Sequence, residues 1–190
     1  VDMEKDFESA TTNADGSYDV TYEINVTNTG GAAGTYSLTD TPQFDDDITI
    51  NSGSYTGYAS GALNTTGSTT LATGESIGAG STQTYTLAFN VTLDLSEGST
   101  DGGDNEYNAC EEGSDGSEGN PFEGLYNVAE LDRNSDGTND VEDDACGDLP
   151  NVDMEKDFVS ATPNADVSYD VTYEINVTNT GGAAVTYSLT

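Results

Sequence analysis

Tyr18-Asp19-Val20-Thr21-Tyr22-Glu23-Ile24-Asn25-Val26 is the stretch that decides the fold, because apolar and polar residues alternate in it without a break. A period of two puts every apolar side chain on one face of an extended strand, and the β-branched and aromatic composition suits a half-buried sheet. The same alternation returns in Tyr85-Thr86-Leu87-Ala88-Phe89-Asn90-Val91-Thr92-Leu93. No window carries a convincing helical period. Clusters of Gly, Asn, Asp and Ser separate the runs and read as turns. The fold class is therefore all-β, an immunoglobulin-like sandwich. Strands are expected near Asp2–Ser9, Ser17–Asn28, Thr35–Asp40, Asp47–Asn51, Thr69–Ala72, Ser81–Leu95 and Gly124–Leu131.

Composition alone would have suggested otherwise. The 190 residues include 36 Asp plus Glu against 3 Lys plus Arg, a net charge of -33, and no His or Trp. Leu, Ile, Val and Phe number 10, 5, 12 and 5, a share in the range of disordered acidic chains. The alternating runs override that signal. The charge disfavours contact with phosphate backbones and anionic membrane surfaces, so neither nucleic acid nor membrane is an expected partner. Lack of His removes Ser-His and Cys-His catalysis and imidazole metal sites. A hydrolase built on two carboxylates is left without the Trp platform that sugars usually need, so no enzymatic activity is expected.

Val1–Thr39 recurs as Val152–Thr190, and of the 39 aligned pairs only Glu8/Val159, Thr12/Pro163, Gly16/Val167 and Gly34/Val185 differ. The repeat is thus about 151 residues long: 1–150 reads as one complete unit and 151–190 as the first strands of the next. Val1 is not a start residue and Thr190 falls inside a motif, so the chain reads as a window on a longer tandem array. The strands of Val152–Thr190 need completion, either by later residues of the same repeat, the expected route, or by strands of a neighbouring molecule.

Met3-Glu4-Lys5-Asp6-Phe7, Val26-Thr27-Asn28-Thr29-Gly30, Leu38-Thr39-Asp40-Thr41-Pro42 and Leu125-Tyr126-Asn127-Val128-Ala129 occur in that order. Together they resemble the conserved-repeat domain of unknown function eleven, found in tandem in large bacterial and archaeal surface proteins. The resemblance implies an Ig-like extracellular module and no particular ligand. The chain departs from that pattern in its long acidic insertion and its cysteine pair.

Three constellations carry chemistry. The first, Asp132-Arg133-Asn134-Ser135-Asp136-Gly137-Thr138-Asn139-Asp140-Val141-Glu142-Asp143, has oxygen donors at the spacing of an EF-hand loop. Calcium is the cofactor this implies. Its ligands would be Asp132, Asn134, Asp136, Asp140 and Asp143, with the Thr138 carbonyl. The alternative is an acidic turn that merely solubilises. Asp40 with Asp45, Asp46 and Asp47 offers a weaker second cation site, for which a solvated loop is the simpler reading. Second, Cys110 and Cys146 lie 36 apart with no His nearby, which fits no zinc signature and suggests a disulfide, with two free thiols as the alternative. A disulfide pinning the acidic segment Glu97–Asp148 implies an oxidising, extracellular or cell-surface setting.

The third constellation comes from strand parity. Lys5 is in phase with Met3 and Phe7, Asp40 with Tyr36 and Leu38, and Asn127 with Leu125, Ala129 and Leu131, so three polar side chains point at the core. An unpaired ammonium there costs several kcal/mol, so Lys5 must be neutralised, paired or covalently consumed. Lys on the first strand, Asp in the middle and Asn on the last resembles the triad that forms intramolecular isopeptide bonds in Ig-like surface domains, which implies an autocatalytic Lys5–Asn127 isopeptide with Asp40 as the acid; the alternative is a buried Lys5–Asp40 ion pair without covalent chemistry. Glycosylation sequons begin at Asn25, Asn64, Asn90 and Asn176. The expected function is structural, a module of an extracellular fibre, stalk or surface adhesin. Its partners would be neighbouring repeats of the same chain and, in a filament, other copies. Alternatives are a calcium-dependent adhesive domain and a strand-donating filament subunit.

Overall fold

The computed structural model describes residues 1–93, 110, 121–150, 152–181 and 184–190. Much of the acidic segment, including Glu97 and the region expected to end β7 at Leu95, lies outside the described residues. The strands are β1 (Asp2–Thr12), β2 (Tyr18–Thr27), β3 (Gly34–Pro42), β4 (Ile48–Gly57), β5 (Gly61–Ala62), β6 (Thr69–Ile77), β7 (Thr82–Leu93), β8 (Asn127–Asp132), β9 (Val141–Ala145), β10 (Val152–Pro163) and β11 (Tyr169–Asn179). The protein is all-β among the described residues.

Two antiparallel sheets make up the first unit. One has the order β1-β2-β7-β4-β5 and the other β6-β3-β8-β9. The alternation read in the sequence fixes what each strand gives to the space between them. Val20, Tyr22, Ile24 and Val26 of β2 and Tyr85, Leu87 and Val91 of β7 have no exposure at all, and Phe89 has 1%. From the facing sheet, Tyr36, Leu38, Ala129 and Leu131 are equally buried. Each large side chain so placed stabilises by roughly 1.5–3 kcal/mol relative to leaving it in water. Aromatic rings pack together in the core: Tyr22 of β2 and Phe89 of the neighbouring β7 meet edge to face at 6.1 Å, and Phe44, from the connection between β3 and β4, meets Phe89 at 5.3 Å.

Two strands depart from the sequence reading. β9 begins within the stretch expected to be a calcium loop and runs past its end, and Val141-Glu142-Asp143-Asp144-Ala145 gives little apolar signal. It forms because it completes the edge of β8, from Leu131↔Val141 to Asn127↔Ala145. The short β5 pairs with β4 through Ser54↔Ala62 and Tyr55↔Gly61. Gly53, within β4, makes room for the returning chain: a Cβ there would sit 2.8 Å from the Leu63 Cβ and 3.0 Å from the Phe89 ring.

β10 and β11 make a separate two-stranded sheet. Residues 184–190, which correspond to the beginning of β3, are not strand.

Candidate functional site

Lys5, Asp40 and Asn127 lie within the space between the two sheets, at 2%, 0% and 0% exposure. β1 presents Lys5 opposite Ile24 of β2. In the facing sheet, Asp40 of β3 stands opposite Ala129 of β8, and Asn127 stands opposite Pro42. Asn127 is therefore the diagonal neighbour of Asp40 on the same face of the sheet. Lys5 Nζ donates to Asp40 Oδ1, and Asn127 Nδ2 donates to Asp40 Oδ2 over a long 3.4 Å. The Asn127 Oδ1 atom is buried without a hydrogen-bond partner.

The surroundings are apolar and aromatic. Lys5 Nζ sits 5.2 Å from the centroid of the Tyr22 ring, and the Tyr22 hydroxyl donates to the Leu125 carbonyl. Phe7 meets Tyr22 edge to face at 5.6 Å. Desolvation pushes the Lys5 ammonium below its ordinary range, against the opposing attraction of Asp40, Asp143 and Asp144. Desolvation likewise pushes the Asp40 carboxyl up, against Lys5 and Asn127. Both shifts act in the direction of moving the proton from Lys5 to Asp40. Burial, with the charge of Asp40, holds the Tyr22 phenol well above its usual range, so it remains a donor.

The acidic loop after β8 is organised around Asp132. Its carboxylate accepts backbone N–H bonds from Gly137 at 2.7 Å and from Asn134 and Asp136 at 3.2 Å each. Desolvation raises the Asp132 pKa, but these donors outweigh it and the carboxyl is held below the usual range. Asn134 Oδ1 accepts from Asp136 N at 3.0 Å, Asp136 Oδ1 from Thr138 N at 3.0 Å, and Asp140 Oδ2 from Arg133 N at 2.8 Å. Asp143, expected to close the loop, is not turned into it. It belongs to β9, opposite Ala129, and its Oδ2 accepts from the Lys5 backbone N–H at 2.7 Å. The strand pairing of β9 takes that position away from the loop. Among the described residues, no group of three or more carboxylates or thiolates is arranged to hold a metal ion.

Asp45 and Asp47 are each 2% exposed rather than solvated, with Asp47 N donating to Asp45 Oδ1 at 3.0 Å. Cys110 and Cys146 form a disulfide with a Cα separation of 5.8 Å. Of the sequon residues, Asn25 and Asn90 are half-buried and engaged across strands. Thr84 Oγ1 donates to Asn25 Oδ1 at 2.7 Å, and Asn90 Nδ2 donates to Asp19 at 2.8 Å. Asn64 and Asn176 are exposed. Sequence reasoning missed Gly147, whose missing side chain lets the Phe7 ring pack against the chain. A close approach between distant segments leaves no trace in local composition.

No family model matches this chain, and no curated protein matches it. Among solved structures it is similar to the full-length major pilin SpaD from Corynebacterium diphtheriae, at 15% identity and a TM-score of 0.38. The match covers 95% of this chain and 46% of the pilin, so the chain spans about half of that protein's length. No helix among the described residues is long and apolar enough to cross a membrane.

Proposed function

We propose that this chain is a structural module of an extracellular tandem-repeat fibre, stalk or surface adhesin, closed across its two sheets by an isopeptide bond between Lys5 and Asn127. The observation that carries this reading is the meeting of Lys5, Asp40 and Asn127 in one buried space, with the first strand supplying the amine and the facing sheet the acid and the amide. The neutral Lys5 amine attacks Cγ of Asn127. The Nζ–Cγ bond forms, the Cγ–Nδ2 bond breaks, and ammonia leaves with the proton given up by Nζ. Asp40 lends its proton to the amide and recovers one from the nucleophile, so it ends unchanged. Rotating the Asn127 amide by half a turn brings its unpartnered oxygen to the Asp40 acid, the orientation that polarises the carbonyl.

Strand order supports the Ig-like reading. β1-β2-β7-β4 and β3-β8-β9 have the connectivity of the two sheets of an immunoglobulin constant-type domain, with β6 added outside β3. The resemblance to the conserved-repeat domain of unknown function eleven belongs to the same proposal, as do the repeat boundaries at 1–150 and 151–190. The disulfide fits an oxidising compartment. Calcium is retained in this reading with Asp132, Asn134, Asp136, Asp140 and the Thr138 carbonyl as its ligands; Asp143 would have to release the Lys5 N–H to join them.

Intact mass of the folded chain tests the proposal. The wild type is expected to be about 17 Da lighter than its sequence, the mass of the ammonia lost. Lys5→Ala and Asp40→Ala restore the full mass. An unmodified mass in folded wild type would leave only a buried ion pair.

A further inference from the structure

β9 is the strand that the sequence does not announce, and its middle residue holds the strand that carries the amine. Asp143 Oδ2 accepts the Lys5 backbone N–H at 2.7 Å, across a sequence separation of 138. Among the described residues β1 pairs with β2 alone, so this N–H lies on the free edge of β1 with no strand to receive it. Lys5 is only 2% exposed, and a buried N–H left without an acceptor is costly. Asp143 supplies the acceptor.

Register puts it there. Asp40 of β3, Ala129 of β8 and Asp143 of β9 stand in one row across the sheet, and residues directly opposite one another share a face. Two carboxylates therefore flank the small side chain of Ala129 on the face turned to β1. One accepts from the Lys5 Nζ and the other from the Lys5 backbone. Asn127 stands in the next row on that face, between Pro42 and Ala145.

Holding Lys5 at both ends matters because its amine rides on a long, flexible stem. Asp40 fixes only the far end. Were β1 to shift against the facing sheet, Nζ could stay on Asp40 while its approach to Cγ of Asn127 changed. Reacting atoms must be about 3–3.5 Å apart and aligned, and a misplacement of about 1 Å can cost about 100-fold in rate. A further link from β1 toward that sheet, the Arg133–Asp2 pair, spans 3.3 Å between exposed side chains, so solvent screens it. The pairing of β9 does not itself ask for an acid in the middle row. Val141 and Ala145, its neighbours on the same face, are apolar, and desolvation pushes the Asp143 carboxyl up, opposed by the Lys5 N–H.

We propose that Asp143 is a positioning residue for the Lys5–Asn127 bond, pinning the backbone of β1 to the facing sheet so that the amine held by Asp40 is also held over the Asn127 amide. This rests on the isopeptide reading above, and the balance is unchanged: Nζ–Cγ forms, Cγ–Nδ2 breaks and ammonia leaves. Asp143 acts on the Lys5 backbone and exchanges no proton. A cation that drew Asp143 into the acidic loop would release that anchor.

The test refolds full-length wild type, Asp143→Asn and Asp143→Ala from denaturant with chelator present, so that no cation competes for Asp143. Tyrosine fluorescence follows folding, and intact mass of acid-quenched samples follows the loss of about 17 Da. Asp143→Asn keeps a side-chain oxygen for the Lys5 N–H and should react close to the wild-type rate. Asp143→Ala offers no acceptor and, once folded, should react roughly 10- to 100-fold more slowly. A merely structural role would lower the stability of Asp143→Ala without changing the rate in folded chains, so equal rates in folded Asp143→Ala and wild type overturn the proposal and leave the isopeptide standing. Asp143→Asn as slow as Asp143→Ala also overturns it, since charge and not the backbone anchor would then set the rate. Wild type that folds and keeps its full mass ends the isopeptide reading, and this role falls with it. Should Asp143→Ala not fold, amide hydrogen exchange in Asn127→Ala, which cannot react, decides the matter. The Lys5 N–H is expected to exchange as slowly as the paired amides of β2, and exchange at the rate of an exposed amide overturns the anchor.

Discussion

Gly147→Ala adds one methyl group where the structure has no room for it. A Cβ built on Gly147 would lie 2.1, 2.3 and 2.4 Å from Cε2, Cζ and Cδ2 of Phe7. Ordinary carbon contacts begin near 3.5 Å, so the ring must retreat by roughly 1.4 Å. Inward retreat is opposed by Tyr22, which Phe7 meets at 5.6 Å and whose hydroxyl is tied to Leu125. Backbone retreat is opposed by the Leu125 N–H, which donates to the Gly147 carbonyl at 2.9 Å. Gly147 is not among the glycines with positive φ, so alanine brings no backbone penalty and the cost is steric. Overpacking of this kind costs about 1–3 kcal/mol. At roughly 2–4 °C per kcal/mol for a domain of this size, the melting temperature should fall by about 2–12 °C. Calorimetry on Gly147→Ala, Phe7→Ala and the double variant separates the cause. With the ring gone the methyl group fits, so Gly147→Ala in the Phe7→Ala background should cost less than about 0.5 kcal/mol, a coupling of at least about 0.5 kcal/mol. An equal cost in both backgrounds, or unchanged melting of the single variant, would refute the reasoning.

Two further outcomes are expected. Chelator should lower the melting temperature of wild type at low salt, since calcium bound only by the folded state stabilises by mass action. It should do much less in Asp136→Ala, and equal melting of wild type with and without calcium would count against the site. Reducing the Cys110–Cys146 disulfide opens a loop of sequence separation 36, for which the chain-entropy model gives a loss of about 3–4 kcal/mol. Denaturant titration with and without reductant reads it, and a midpoint unmoved by reduction would show that the bond constrains little.

Alternation in the sequence determined the strands whose faces differ strongly in polarity. β2 and β7 are legible residue by residue because a period of two assigns each side chain to water or core without reference to any other strand. Parity alone also turned Lys5, Asp40 and Asn127 inward. The near-identical repeat of Val1–Thr39 likewise predicted a second hairpin, since cross-strand pairs such as Phe158 with Tyr173 are local to it. Only the tertiary structure decided what those inward residues meet. Asp40 and Asn127 become neighbours through the β3–β8 register, and Lys5 reaches them from the opposite sheet, across separations of 35 residues to Asp40 and 87 residues between Asp40 and Asn127. β9 was illegible because its strand character comes from the unpaired edge of β8, not from its own acidic residues, and that pairing draws Asp143 from the loop to the Lys5 N–H. Period and parity are properties of a chain with its neighbours in sequence. Register, edge completion and close approach are set by which segments share a core, and that is where the chemistry of this site arises.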